Sequence, residues 1–359
     1  MARWTASYPL PLASVLTEDY DKRTAHSVVV GNDIWIFHNV YNSESLHFYI
    51  WSTETHEYTE KHIPYPEDYR RIITSVSLHE NHIYIWATDD FIENEGVLHK
   101  LNTNTMKLEE IMRVYMQTSM YSTCIVGDYL YALDKERITG VPIVYIINLS
   151  EARVKGKHIM PRFTDSTLQL MKNDDKGYLV VTSERTKKRK VYLINGEKIR
   201  RVAEDEYGDK NEAVSPEGCC VGGKMFHSNT REWGETILSL DSFDFSKNEW
   251  TRARIETVGK CPRWDVIQSF VELNDCIYAI TKRHGESHVK MTLRVMKKNP
   301  RLTTICLLNA AREMVRQGID VEDVTEDLPI ELGSELEKMY NWKGEDFGLR
   351  KWLDDYIFD

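Results

Sequence analysis

A two-strand unit recurs six times along the first 300 residues of the chain. Each copy is an apolar segment, a short turn containing Gly, Asn or Asp, and a second segment rich in Tyr, Ile and Val, which is the pattern of a β-hairpin. The copies start at residues 28, 76, 124, 168, 219 and 270, so the intervals are 48, 48, 44, 51 and 51 residues. Repeats of this length are typical of the blades of a β-propeller.

A second pair of alternating segments follows these hairpins. Examples are residues 46–51 with 57–59 and residues 237–241 with 248–250. Four strands in each repeat is the composition of a propeller blade. Strands packed face to face need bulky side chains, and the chain supplies 19 Tyr and 9 Trp.

The sixth repeat is one strand short, because its alternating pattern stops before Pro300. Residues 3–6 contain Trp4 and match the closing strand around Trp250. We therefore expect the N-terminal segment to close the ring as the last strand of blade six. Such closure protects strand edges that would otherwise invite aggregation.

One repeat carries residues in the order found in kelch repeats. Asp244 lies in a turn, Trp250 follows in a strand, Pro262-Arg263 comes next, and an apolar strand contains Tyr278. Residues 1–299 therefore resemble kelch proteins, although the Gly-Gly pair of that family is absent from the end of the second strand in every copy. Together with the six repeats, the resemblance implies an all-β fold, a six-bladed kelch-like β-propeller, which the N-terminal strand is expected to close. A short α-helical C-terminal module is expected to follow it, for the reason given next.

The pattern changes to helical spacing after Pro300. Apolar and small residues recur on one helical face and include Leu302, Ile305, Cys306, Ala310 and Met314. An acidic stretch follows, and then a second short helix with Pro329 near its first turn. We expect residues 300–359 to form a helical unit separate from residues 1–299.

The tail resembles a SOCS box, a module that binds elongin and a cullin. Its first half matches the elongin-binding box, in which residues four apart stand above one another and fill a groove of elongin C, the partner of elongin B. The resemblance implies elongin-binding residues Leu302, Ile305, Cys306 and Ala310. The second half matches the cullin box and implies cullin-binding residues Leu328, Pro329, Leu332 and Leu336. Glu331 stands where a cullin-5-type box has a second Pro, which favours a cullin-2-type partner.

Three functions remain open at this point. The first is a substrate-recognition adaptor of a cullin–RING E3 ubiquitin ligase. The second is a kelch scaffold for protein–protein interaction whose tail packs on the propeller, with Cys306 as a buried thiol. The third is a propeller enzyme. The chain has no phosphate-binding Gly-rich loop, HExxH or GxSxG motif and no zinc-finger spacing, so we expect that it is not an enzyme and has no catalytic residues, no cofactor and no metal site.

Arginine and aromatic residues mark a candidate substrate pocket. In a propeller the loops that enter the innermost strands share one face, where peptides commonly bind. These loops contain Arg23, Arg71, Tyr121, Arg263 and Trp264. Guanidinium groups beside aromatic rings suit an acidic segment or a free C-terminus of a protein substrate. The alternative is that these residues form a solvated rim.

Charge and hydropathy indicate which partners and which cellular location to expect. The net charge is −10, and residues 301–359 hold 7 Lys+Arg against 14 Asp+Glu, so we expect no nucleic-acid partner. The chain has no signal-peptide pattern and no long apolar run, which predicts a cytoplasmic or nuclear protein that does not enter a membrane.

Two charged runs have competing interpretations. The run Lys187, Lys188, Arg189 and Lys190 resembles a nuclear-localisation signal, and the alternative is a solvated turn. The acidic run at residues 204–209 is predicted to be a loop without a basic partner.

Overall fold

The structure is a computed structural model of the chain, and it is described here for seventeen segments between residues 4 and 297. These are residues 4–10, 25–40, 43–66, 71–89, 95–115, 122–136, 139–161, 166–173, 175–183, 188–196, 198–206, 212–221, 224–231, 239–254, 265–274, 276–284 and 289–297. The segments contain strands and turns and no helix. Residues 300–359, for which the sequence predicts a helical tail, lie outside them.

The described residues form six four-stranded antiparallel sheets. The strand that comes first along the chain is β1 (Trp4–Pro9). The first sheet contains β2 (Ala25–Val30), β3 (Asp33–His38), β4 (Ser45–Ser52) and β5 (Tyr58–Pro64). The second contains β6 (Arg71–His79), β7 (His82–Asp89), β8 (Glu95–Asn102) and β9 (Leu108–Tyr115). The third contains β10 (Ser122–Val126), β11 (Tyr129–Lys135), β12 (Pro142–Asn148) and β13 (Arg153–Ile159).

The remaining three sheets follow the same order. The fourth contains β14 (Ser166–Asn173), β15 (Lys176–Ser183), β16 (Lys188–Asn195) and β17 (Lys198–Glu206). The fifth contains β18 (Glu212–Val221), β19 (Lys224–Arg231), β20 (Ser239–Asp244) and β21 (Glu249–Arg254). The sixth contains β22 (Asp265–Leu273), β23 (Cys276–His284), β24 (Val289–Lys297) and, as its fourth strand, β1. The four-strand repeat predicted from the sequence is confirmed.

The N-terminal strand completes the sixth sheet, as the sequence predicted. Trp4 lies opposite Met296, and Pro9 lies opposite Thr292. The strand is longer than expected, because it continues to Pro9 and the Leu10 N–H then donates to the Met291 carbonyl over 3.0 Å. The edge of β24 is therefore covered by a strand from the other end of the sequence.

The sheets are arranged around a ring in a propeller-like way. The first strands of the sheets contact one another in chain order, β2 to β6, β10, β14, β18 and β22, and β22 contacts β2 again. The second strand of a sheet buries both faces. In β7, Ile83 and Ile85 pack toward the first sheet, whereas Tyr84 and Trp86 pack toward the third. Successive side chains of a strand point to opposite faces, so such a strand is apolar throughout.

The turns between third and fourth strands share a local design. Four of them place a non-glycine residue at positive φ, at His56, Met106, Ala152 and Asn248, four residues after Ser52, Asn102, Asn148 and Asp244. The polar side chain of this earlier residue accepts backbone N–H groups of the turn. For example, Asn102 Oδ1 accepts from the N–H groups of Asn104 and Thr105 over 3.0 and 2.9 Å. A short polar residue therefore stabilises each turn, as in an Asx-turn.

No helix long and apolar enough to cross a membrane occurs in the described segments.

Candidate functional site

The innermost strands enclose a central cavity of about 520 Å³. Five of the six sheets contribute described lining residues, which come from β2, β6, β10, β14 and β22. The lining combines aliphatic residues with hydroxyl groups from Ser27, Ser77 and Thr123, so that its surface is about equally polar and apolar. Ligand pockets are concave sites in which polar groups orient the ligand.

Hydroxyl groups join the inner strands of neighbouring sheets. Ser27 Oγ lies 2.7 Å from Ser269 Oγ, and Ser75 Oγ lies 2.7 Å from Thr123 Oγ1. The N–H groups of Ser27 and Thr123 donate to the hydroxyls of Ser269 and Ser75, both over 3.1 Å. The free edge of an innermost strand carries N–H groups that need acceptors, and these hydroxyls provide them. The hydroxyls therefore fix the spacing of the sheets around the cavity.

The charged residues among the described lining are Lys172 and Glu272. Cys124 also lines the cavity, and burial raises the pKa of its thiol to about 12. A thiol with so high a pKa stays protonated at neutral pH and is a poor nucleophile. The described part of the cavity can therefore bind a ligand through hydroxyl groups, one cation and one carboxylate.

The predicted substrate pocket is only partly described. Arg71 is the first residue of β6, and its backbone lies opposite that of Asp89. The cavity-lining residues of β6 begin five positions further along, at Val76. The other predicted pocket residues are Arg23, Tyr121, Arg263 and Trp264, which lie outside the described residues. The pocket stays a prediction.

Asn39 positions the backbone near Arg71, a role that the sequence did not indicate. Its side-chain Nδ2 donates to the Ile73 carbonyl over 3.0 Å, and its Oδ1 accepts from the Ile73 N–H over 2.7 Å. This two-point contact ties the residue that follows β3 in the first sheet to the third residue of β6 in the second sheet. Asn39 and Ile73 are 34 residues apart, so no local pattern could reveal the contact.

The predicted elongin-binding and cullin-binding residues all lie outside the described residues. They are Leu302, Ile305, Cys306 and Ala310 for elongin, and Leu328, Pro329, Leu332 and Leu336 for the cullin. Both sets stay predictions.

Three side chains of the first sheet could hold a metal ion. The candidate ligand atoms of His47, Glu60 and His62 lie within 4.8 Å of one another. Burial and the nearby His62 lower the pKa of His47, and Glu60 opposes this shift. The sequence analysis predicted no metal site. It did not indicate this cluster because the three side chains come from two strands and their spacing matches no known metal-binding motif.

The basic run and the acidic run form adjacent strands. Lys188, Arg189 and Lys190 belong to β16, and they lie opposite Glu206, Asp205 and Glu204 of β17. Only 3% of Arg189 is exposed, so this part of the run is not a solvated turn. The prediction of an unpaired acidic loop is wrong for residues 204–206, because Lys188 Nζ lies 3.7 Å from Glu204 and 3.5 Å from Glu206.

Solved structures show what fold this chain resembles. A Trypanosoma rangeli sialidase in complex with sialic acid matches with a TM-score of 0.53 and 10% identity over 88% of this chain. A mutant of the same sialidase that displays trans-sialidase activity matches with a TM-score of 0.54 and 10% identity. The chain spans 62% of the length of either sialidase chain. No protein-family model and no curated protein matches the chain.

These comparisons correct one prediction. From the missing motifs we expected that the chain is not an enzyme. That expectation is contradicted, because solved structures that share its fold are sialidases. The absence of well-known catalytic motifs does not exclude an enzyme, because one fold can carry many functions. At 10% identity the likeness concerns the fold alone. The described residues have a multi-bladed, β-propeller-like all-β fold of the sialidase type.

Proposed function

We propose that the chain is a substrate-recognition adaptor of a cullin–RING E3 ubiquitin ligase. The ring of sheets binds a protein substrate, and the tail binds elongin C, with its partner elongin B, and a cullin of the cullin-2 type. In this proposal the ring is a complete six-bladed, kelch-like propeller formed by residues 1–299. Residues 300–359 form the helical SOCS-box-like module.

The pairing of β1 with β24 is the observation that carries this proposal. Met296 and Val295 lie opposite Trp4 and Ala6, so the sixth sheet has four strands by Lys297. The six sheets thus need no strand from the tail. A segment that is not needed to complete a sheet is available for another role.

The order of the two boxes in the tail supports the same proposal. The stripe of Leu302, Cys306 and Ala310 comes first, and Leu328 and Pro329 follow about twenty residues later. A partner-binding tail after a ring with a central cavity is the arrangement that an adaptor requires. The hydroxyls around the cavity and the Arg residues of the entering loops suit a polar or acidic protein segment.

A binding experiment with purified elongin B–elongin C tests the proposal. The full chain is immobilised and compared with a Leu302→Ser/Cys306→Ser variant and with a Thr303→Ala/Thr304→Ala control, which changes neighbouring residues outside the proposed stripe. We expect the parent and the control to retain elongin C and the double variant to lose at least about 90% of it, because groove-filling side chains dominate helix-in-groove binding.

Two outcomes would overturn the proposal. One is a parent chain that retains no elongin C under mild salt. The other is equal retention by the parent and the Leu302→Ser/Cys306→Ser variant. A thermal melt of each variant shows whether the ring is still folded, so that loss of binding is not confused with unfolding.

A further inference from the structure

Two histidines of the first sheet face each other across the outer strand pair. His47 of β4 lies directly opposite His62 of β5 in the strand register, although they are 15 residues apart. Directly opposite residues lie on the same face of a sheet, and so does a residue two positions away, which adds Glu60. His47 Nδ1 lies 3.1 Å from His62 Nδ1, and His62 Nδ1 lies 3.9 Å from Glu60 Oε1.

The Ser43 hydroxyl contacts the nitrogen of His47 that points away from His62. Ser43 Oγ lies 2.6 Å from His47 Nε2 and 3.2 Å from the Ser45 carbonyl oxygen. In the tautomer with the ring proton on Nε2, Nε2 donates to Ser43 Oγ, and the lone pair of a neutral His47 is on Nδ1, the nitrogen that faces His62.

We propose that His47, Glu60 and His62 form a binding site for a zinc ion. Two imidazoles and a carboxylate are a ligand set that Zn²⁺ prefers, with bonds of roughly 2.0–2.2 Å. Two nitrogens at that distance in a tetrahedral site are about 3.3 Å apart, within a few tenths of an ångström of the separation here. The hydrogen bond from His47 to Ser43 orients the ring, as partners of metal-bound histidines commonly do.

The site has an open side. The side chains of Glu60 and His62 are 49% and 54% exposed, so a water molecule can reach the ion and take the fourth position. Zinc binding requires His47 and His62 each to carry the ring proton on Nε2, which leaves both Nδ1 atoms free for the metal. This is a change of tautomer with no net loss of a proton, and Glu60 supplies one negative charge.

The other sheets show that the fold does not require this ligand set. The turn residues Ser52, Asn102, Asn148 and Asp244 occupy corresponding positions in the first, second, third and fifth sheets and therefore align these sheets with one another. His47 lies five positions before Ser52. The cross-strand pairs equivalent to His47 and His62 are Val97 with Arg113, Ile143 with Ile159, and Ser239 with Arg254. Among these four described sheets, only the first has metal-binding side chains at both positions.

Calorimetric titration of the full chain with Zn²⁺ tests the site. We compare the parent chain with His62→Asn, Glu60→Gln and the matched control His56→Asn. The control removes an exposed histidine of the same sheet at positive φ, which Asn tolerates. We expect one high-affinity Zn²⁺ per chain in the parent and the control, and affinity at least about tenfold weaker in His62→Asn, because a ligand is lost.

Two further measurements separate this site from any other. Co²⁺ should give the parent the visible absorption of a four-coordinate ion, and this spectrum should be lost in His62→Asn. Zn²⁺ should raise the melting temperature of the parent and of His56→Asn but not of His62→Asn, because only a site present in the folded chain stabilises it. No Zn²⁺ binding by the parent, or binding that is unchanged in His62→Asn, would overturn the proposal.

Discussion

The guanidinium of Arg189 lies 3.9 Å from the ring centre of Trp250, which belongs to the neighbouring sheet. Arg189 is almost fully buried, and its Nη2 lies 3.6 Å from Asp205. Its charge is therefore held between an indole face and a carboxylate. The contact joins the fourth and fifth sheets through a residue that the sequence placed in a basic run.

The Arg189–Trp250 contact predicts a large effect of Arg189→Ala. We expect the free energy of unfolding to fall by about 2 kcal/mol, because a desolvated cation–π contact and the packing of the arginine stem are lost together. Urea denaturation of the two proteins measures this difference.

Lys188→Ala is the matched control on the same strand. The ion pairs of Lys188 are exposed to solvent, so the same measurement should show a change below about 1 kcal/mol. Equal effects of the two substitutions would contradict the structural role assigned to Arg189.

His26 predicts a loss of stability in mild acid. Burial lowers the pKa of His26 to about 4, although a hydrogen bond with the Ile73 backbone opposes the shift. Because this folded-state pKa lies below the unfolded value of 6.5, the unfolded chain binds more protons between these two pH values. Stability is thus complete above pH 6.5 and falls by about 3 kcal/mol as the pH drops to about 4.

A His26→Gln variant tests this pH dependence. Denaturation midpoints measured from pH 7 to pH 4 should fall less steeply in this variant than in the parent, whatever its stability at pH 7. His56→Asn, at an exposed turn, should keep the slope of the parent. An unchanged slope in His26→Gln would mean that another group causes the acid sensitivity.

The pairing of β1 with β24 predicts that the N-terminal end of the chain stabilises the ring of sheets and that the C-terminal tail does not. Deletion of residues 1–9 uncovers the β24 edge beside the buried Met291 and Leu293, so we expect a lower melting temperature and aggregation. Deletion of residues 301–359 removes no strand of the described sheets and should leave the melting temperature of the ring within a few degrees. Calorimetry and size-exclusion chromatography measure both effects, and a reversed order would contradict the proposed division of the chain.

The turn at Ala152 predicts opposite effects of two small substitutions. Ala152 is exposed and has a φ of 49°, a conformation that costs an L-residue about 1 kcal/mol and costs glycine nothing. Ala152→Gly should therefore stabilise the chain by about 0.5 kcal/mol after the entropy of the unfolded glycine is included, and Ala152→Val should destabilise it. Ala203→Gly in β17 is the control and should destabilise the chain, because glycine weakens a strand. Thermal denaturation of the three variants shows whether each substitution raises or lowers the melting temperature.

Much of the fold could be predicted because the signals are local. The alternation of Ile83 and Ile85 with Tyr84 and Trp86 needs only the two-residue period of a strand and predicts a strand buried on both faces. The side chains of the turn residues Asn102 and Asp244 accept hydrogen bonds from N–H groups two or three positions further along the chain. The N-terminal strand was predicted because Trp4 resembles Trp250 in its surroundings, but its end at Pro9 depends on the hydrogen bond between Leu10 and Met291.

The sequence by itself determined the repeat, the four strands of each sheet and the closure by the N-terminal strand, because these features follow from short-range periodicity. Only the tertiary structure placed Arg189 against Trp250, paired Ser75 with Thr123 and brought His47 to His62. Each of these contacts joins residues on different strands, so it depends on strand register or on the packing of neighbouring sheets. Neither the register nor the packing can be deduced from a single sequence. The sequence therefore indicated a ring that could bind a ligand, but not which side chains come into contact within and around that ring.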